Sequence, residues 1–169
     1  MKNERGFTLI ELLITMVMAG ILLALAAPAF HSFIQNNRIT SQANELLTTM
    51  AIARSEAIKR KQGITVCSST DGSSCSGSWN QGWIVFADTD TDGTVDTGDT
   101  ILRVWGPLAG GSTVTTIPAG TISSSFDRLG GASNTVTFQL RIQDCKGDKA
   151  RDLILRTSGS VEVTPQTCS

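Results

Sequence analysis

Between Phe7 and Ala27 lie 21 residues, of which only Thr8, Glu11 and Thr15 carry polar side chains. At about 1.5 Å per residue a helix of that length covers roughly 30 Å, the thickness of a bilayer's hydrocarbon core. Lys2 and Arg5 precede it, a basic flank that favours an N-terminus left in the cytoplasm. A cleavable secretory signal would show an apolar core of about 7–15 residues with a small-residue cleavage site just beyond it. This run is longer and holds a carboxylate near its start. An ordinary membrane anchor accounts for the length but not for Glu11, because a carboxylate at membrane depth costs about 2.5 kcal/mol or more and normally has a functional partner.

Gly6-Phe7-Thr8-Leu9-Ile10-Glu11, followed by that run, resembles the class III signal of type IV pilins and type II secretion pseudopilins. The resemblance implies that a dedicated prepilin peptidase cuts after Gly6 on the cytoplasmic side, that Phe7 is then N-methylated, and that the apolar helix stays in the mature chain. It also implies that Glu11 meets the N-terminal amine of a neighbouring subunit. Two opposite charges in a low-dielectric core offset a burial cost that neither could bear alone. Pro28 stands where pilins commonly carry a proline. Inside a helix it removes one hydrogen bond and usually kinks the chain, and in a filament such a position can melt locally. The resulting division is a leader at 1–6, a membrane and filament-core helix at 7–29, and a globular domain at 30–169.

The 169 residues hold 14 Lys+Arg and 15 Asp+Glu, a formal charge of −1. Loss of Lys2, Glu4 and Arg5 would leave 12 against 14, or −2. That balance argues against a generalised nucleic-acid binder, which normally carries a basic excess. All four cysteines, Cys67, Cys75, Cys145 and Cys168, follow the apolar helix. An even count confined to the extracytoplasmic part points to disulfides. Three pairings exist, and the local one, Cys67–Cys75 with Cys145–Cys168, is favoured; by loop length these would contribute about 2.5 and 3.5 kcal/mol.

From Phe30 to about Gln62 the pattern becomes amphipathic, with Phe33, Asn37, Thr40, Ala43, Leu46, Leu47, Met50, Ala53, Ala57 and Ile58 recurring at three- and four-residue spacing. Lys59-Arg60-Lys61 falls in the last turn, where the helix dipole favours cations, and Gly63 offers a stop. Beyond it the chain reads as strands: 64–68, an aromatic-rich 79–86, 101–105, weaker signals at 113–117 and 120–126, a clearly alternating 135–142, and a last hairpin of 153–156 and 161–163 around Thr157-Ser158-Gly159-Ser160. One helix followed by about seven strands predicts an α+β fold, a long N-terminal helix whose amphipathic half packs on an antiparallel sheet. Ala53-Arg54-Ser55-Glu56-Ala57-Ile58, Val66-Cys67, Trp79-x-x-Gly82-Trp83-x-Val85-Phe86-x-Asp88 and Leu155-x-x-x-Gly159 are similar to the GspH/FimT family of minor pilins and minor pseudopilins. What that implies is a subunit that starts or caps a type IV pilus, with other minor pilins, the major pilin and the prepilin peptidase as partners. It would sit in the inner membrane with its globular domain in the periplasm, and reach the cell surface on assembly. The alternatives are a type II secretion pseudopilin and, from another class, a DNA receptor in natural transformation.

The sharpest local signal is Asp88-Thr-Asp90-Thr-Asp92-Gly93-Thr94-Val95-Asp96-Thr-Gly-Asp99. It sets oxygen ligands at positions 1, 3, 5, 9 and 12 of a twelve-residue loop, with glycine at 6 and an apolar residue at 8, the EF-hand calcium spacing. Asp99 replaces the usual bidentate glutamate, and strands rather than helices flank the loop. Calcium is therefore an expected ligand of Asp88, Asp90, Asp92, Thr94 (through its carbonyl), Asp96 and Asp99; the alternative is a strand connection made of turn-favouring residues. No cofactor is otherwise required. Catalysis of the Ser-His-Asp or Cys-His type would need His31, the sole histidine, beside the membrane helix, so no enzyme is expected. DNA-binding members of the family resemble one another in a Gly-Arg-x-Arg element, where this chain has Gly159-Ser160-Val161-Glu162. Phosphate contact rests mainly on Lys and Arg, so DNA is not favoured as a partner.

Overall fold

The computed structural model describes residues 8–143, 145 and 147–168, with the side chains of 27–29 left out. Gly6 and Phe7, and with them the cleavage and methylation site, lie outside the described residues, as does the side chain of Pro28. The helix α1 (Leu9–Arg60) is assigned across position 28 without a break. The chain divides into two compact units, Met1–Asn37 and Arg38–Ser169.

Within the first unit, every described side chain from Thr8 to Ala26 is exposed. A helix apolar on all sides belongs in lipid or inside a bundle. By length and composition this helix is long and apolar enough to cross a membrane.

The second unit is built on the stripe Ile39, Ala43, Leu46, Met50, Ala53 and Ala57 of α1, all essentially buried. Their three- and four-residue spacing puts them on one face. Eight strands follow: β1 (Ile64–Ser68), β2 (Trp83–Ala87), β3 (Thr100–Trp105), β4 (Thr113–Ile117), β5 (Ser123–Phe126), β6 (Val136–Arg141), β7 (Ala150–Leu155) and β8 (Val161–Gln166). They form two four-stranded sheets, ordered β3-β2-β1-β5 and β4-β6-β7-β8, with every pairing antiparallel. The α+β, pilin-like class is as expected. The single sheet is not: α1 shares one core with both, through Ile64, Val66, Trp83 and Val85 of the first and Val136, Phe138, Leu140, Leu153 and Leu155 of the second.

Strands β1 and β2 are buried along their whole length. Alternate residues face the helix, while Cys67, Ile84 and Phe86 form a smaller cluster on the opposite face, covered by Cys75, Val95 and Ile101. Full burial of a side chain such as Phe86 stabilises by about 1.5–3 kcal/mol. The Cys67–Cys75 bridge and the β2–β3 loop are therefore the outer cover of a two-sided sheet.

Four local expectations need correcting. Trp79–Gln81 is a short 3-10 turn, not the start of a strand; Ser78 and Gln81 cap it, and Gly82 at φ 126° ends it. β5 begins at Ser123, because 118–121 form a turn in which Thr121 donates to the carbonyl of Pro118. On α1, Phe33, Asn37, Thr40 and Ile58 are exposed, whereas Gln42 and Thr49 are buried because each has a partner on the sheet side. Gln42 Nε2 donates to the Ala109 carbonyl at 2.9 Å, and Thr49 Oγ1 accepts from Trp83 Nε1 at 2.9 Å. Finally, Lys61 (φ 56°), one residue past α1, takes the left-handed turn that Gly63 was expected to supply.

Candidate assembly site and acidic loop

The N-terminal end of α1 is organised by Thr8 and Glu11. Thr8 N and Oγ1 donate to Glu11 Oε2 at 3.4 and 3.3 Å, and Glu11 N donates to Thr8 Oγ1 at 3.3 Å. This is a reciprocal capping box, which satisfies two of the orphan amides of a helix start. It also places a carboxylate at the positive end of the helix dipole. Glu11 is exposed among exposed Leu9, Ile10, Leu12 and Leu13, so one anion stands in an otherwise apolar surface and is open to a cation from outside the subunit.

The second cluster lies in the β2–β3 loop. Asp88 follows directly on β2 and is fully buried. Its Oδ2 accepts from Thr65 Oγ1 of β1 at 2.7 Å and from Gly93 N at 3.1 Å, while its amide donates to the Gly63 carbonyl at 3.0 Å. Its Oδ1 is buried with no hydrogen-bond partner among the described residues. One oxygen from each of Asp88, Asp90 and Asp92 lies within 4.8 Å of the other two. Asp92 accepts from Thr94, whose amide and hydroxyl hold its carboxyl below the ordinary range. Asp96 is pushed up, first by partial desolvation and then by repulsion from Asp90, Asp99, Asp92 and Asp88. Asp99 serves the loop itself: its oxygens accept from Thr89 N at 2.9 Å and Asp96 N at 3.3 Å.

Of the residues expected around a cation, the structure thus gathers Asp88, Asp90 and Asp92. Thr94, Asp96 and Asp99 support or flank them. Sequence reading missed the anchors. Thr65 and Gly63 lie more than twenty residues upstream of the loop; a Cβ on Gly63 would meet Thr91 Cγ2 at 2.7 Å and the Asp88 carbonyl at 3.0 Å. Only the glycine between helix and strand hinted at so close an approach.

Both disulfides follow the local pairing, Cys67–Cys75 and Cys145–Cys168. Several of the basic side chains that could meet a phosphate backbone are engaged, while Lys61, Arg103 and Arg128 are exposed and stand outside the ion pairs among the described residues. Arg156 pairs with Glu162 at 2.8 Å, Arg141 with Asp152 at 2.8 Å, and Lys59 and Arg60 both with Glu56. Arg151 donates to the carbonyls of Asp148 and Ala150. Lys146 lies outside the described residues.

Residues 42–159 match the family described as Type II transport protein GspH. The chain belongs to the GspH family. Residues 1–27 match the Prokaryotic N-terminal methylation motif, the stretch that holds Gly6, Phe7 and Glu11. Among solved structures, the type IV minor pilin FimU of Pseudomonas aeruginosa aligns with a TM-score of 0.63 at 23% identity, over 81% of this chain and 99% of that one. The minor pseudopilin EpsH from the Type 2 Secretion System of Vibrio cholerae aligns at 0.54 and 13% identity, over 76% and 97%. These likenesses establish the pilin-like fold. A fimbrial protein of P. aeruginosa is 31% identical over 42% of this chain, and a type IV major alpha-pilin of Moraxella bovis 44% identical over 27%. The matches span 46% and 29% of those two relatives.

Proposed function

We propose that this GspH-family chain is a minor pilin of a type IV pilus, a structural subunit that helps initiate or cap the filament together with other minor pilins and the major pilin. The observation that carries the reading is the all-round exposure of the apolar stretch of α1 as far as Ala26, with Glu11 as its one carboxylate. Such a surface is stable only when covered. Lipid covers it in the inner membrane, with the second unit in the periplasm, and neighbouring helices cover it in the filament. Glu11 then has a role that hydrophobic cover cannot supply: it accepts the methylated amine of the adjacent subunit's Phe7 after the prepilin peptidase has cut behind Gly6. The fimbrial names of the relatives from P. aeruginosa and M. bovis, and the likeness to FimU, support the pilus over other filaments.

The second reading, a minor pseudopilin of type II secretion, is favoured by the description of the matched family and by the likeness to EpsH. Gene deletion in the native host separates the two. Loss of surface pili, restored by the wild-type chain but not by Glu11→Ala, is the expected result. Intact pili with a block in protein secretion would instead assign the chain to type II secretion. A DNA receptor is disfavoured by Glu162, an acid that stands where the DNA-binding members carry an arginine and that pairs with Arg156.

A further inference from the structure

We propose that the β2–β3 loop is a calcium site built on the carboxylates of Asp88, Asp90 and Asp92. The first support is Asp88 itself: a fully buried carboxylate with one oxygen tied to Thr65 and Gly93, and the other buried without a donor. A buried polar atom left unpaired is costly, and for a charged one the cost is larger. The four ion pairs among the described residues all lie elsewhere, so no basic side chain of the described set supplies the missing positive charge.

Geometry gives the second support. Three carboxylate oxygens within 4.8 Å of one another fit around one ion, since oxygens on opposite sides of a calcium stand about 4.6–5.2 Å apart. Calcium is preferred to magnesium because carboxylates on an irregular loop suit its flexible coordination, whereas magnesium demands a tight octahedron and gives up water reluctantly. Gly93 at φ 80° provides the sharp turn after Asp92. Val95 then packs onto the Cys67, Ile84 and Phe86 cluster, fixing the far side of the loop to the sheet. The exposed oxygens of Asp90 and Asp92 leave room for water to complete the shell. Because Asp88 bonds β1 through Thr65, and the strand's entry through the Gly63 carbonyl, an ion held here tightens the loop onto the segment where α1 gives way to β1.

The test is calorimetric titration of the full chain in a non-ionic detergent, stripped with a chelator, first with calcium chloride and then with magnesium chloride. One calcium per chain is expected, with a Kd on the order of 10⁻⁴–10⁻³ M. Asp90→Asn with Asp92→Asn should weaken it at least about tenfold, because two of the three charged ligands are lost. Both positions are exposed, so the variant should keep its fold, which circular dichroism checks. Absence of saturable binding by the wild type up to about 10 mM calcium, or unchanged binding by the double variant, would overturn the proposal. Equal affinity for magnesium would overturn the assignment to calcium.

Discussion

Replacing Thr49 with valine removes one hydroxyl and should unsettle the contact between helix and sheet. Thr49 Oγ1 donates to the Glu45 carbonyl at 2.9 Å and accepts from Trp83 Nε1 at 2.9 Å, and both Thr49 and Trp83 are buried. Valine keeps the shape but offers no acceptor, so the indole N–H is left unpaired in the core at a cost of about 1–3 kcal/mol. The loss of the hydroxyl's own desolvation offsets part of that, leaving a net cost of about 1–2 kcal/mol. For a folded unit of about 130 residues, each kcal/mol moves the melting midpoint by roughly 4 °C, so Thr49→Val should melt about 4–8 °C below wild type. Near-ultraviolet circular dichroism is the appropriate probe, because Trp83 stacks on Trp105 with ring centroids 6.2 Å apart. Trp83→Phe removes the donor, after which Thr49→Val should cost at least about 1 kcal/mol less in that background than in wild type. A Thr49→Val midpoint within about 1 °C of wild type, or identical costs in both backgrounds, would refute the claim that this bond fastens α1 to β2.

Gly159, at φ 75° with the Gly130 carbonyl directly over the place a Cβ would occupy, should not tolerate alanine. Gly159→Ala is expected to destabilise by more than about 1 kcal/mol in thermal melts, by forcing open the β7–β8 turn. Asp71 is held far below the usual carboxylate range by the Ser73 amide, then by the Ser74 hydroxyl and amide; Asp127 is lowered by the amides of Gly131 and Leu129. A folded pKa below the unfolded value of about 3.9 gives stability that is present above that pH and is lost as pH falls through the folded value. Melting temperature should therefore drop between about pH 5 and pH 2, and Asp71→Asn with Asp127→Asn should flatten the drop. A gel shift with the purified chain at physiological salt should show no tight DNA complex; sub-micromolar affinity falling steeply with salt would overturn that expectation.

The fold class, the two disulfides and most strand positions could be read from the sequence because each left a strong local mark. What escaped was set by partners distant in the chain. Gln42 and Thr49 look like solvent-facing residues until Ala109 and Trp83 are known to lie over them. Trp79 looked like a strand residue, yet its indole donates to the Thr121 carbonyl at 2.8 Å and its ring meets Phe138 edge-on from a turn. β7 starts at Ala150, earlier than its apolar signal, because Arg151 and Asp152 occupy partly exposed positions and Asp152 pairs with Arg141 on β6. β8 runs on through Pro165 because it is an edge strand, where a missing amide need not break the ladder. For the acidic loop, spacing pointed to the three aspartates that come together. The burial of Asp88 and its bond to Thr65 depend on the register Thr65↔Phe86 between β1 and β2, which no local pattern specifies.

In the proposed function α1 enters a filament as the core of a processed subunit, with Glu11 facing a neighbour's amine. Mass spectrometry of filaments sheared from cells that express the chain tests it directly. Expected are a chain that begins at N-methylated Phe7 in the sheared fraction, and a Glu11→Ala chain that is processed in the same way but stays in the membrane. A chain retaining Met1 in cells with an active prepilin peptidase, or a Glu11→Ala chain recovered in filaments as abundantly as wild type, would contradict it.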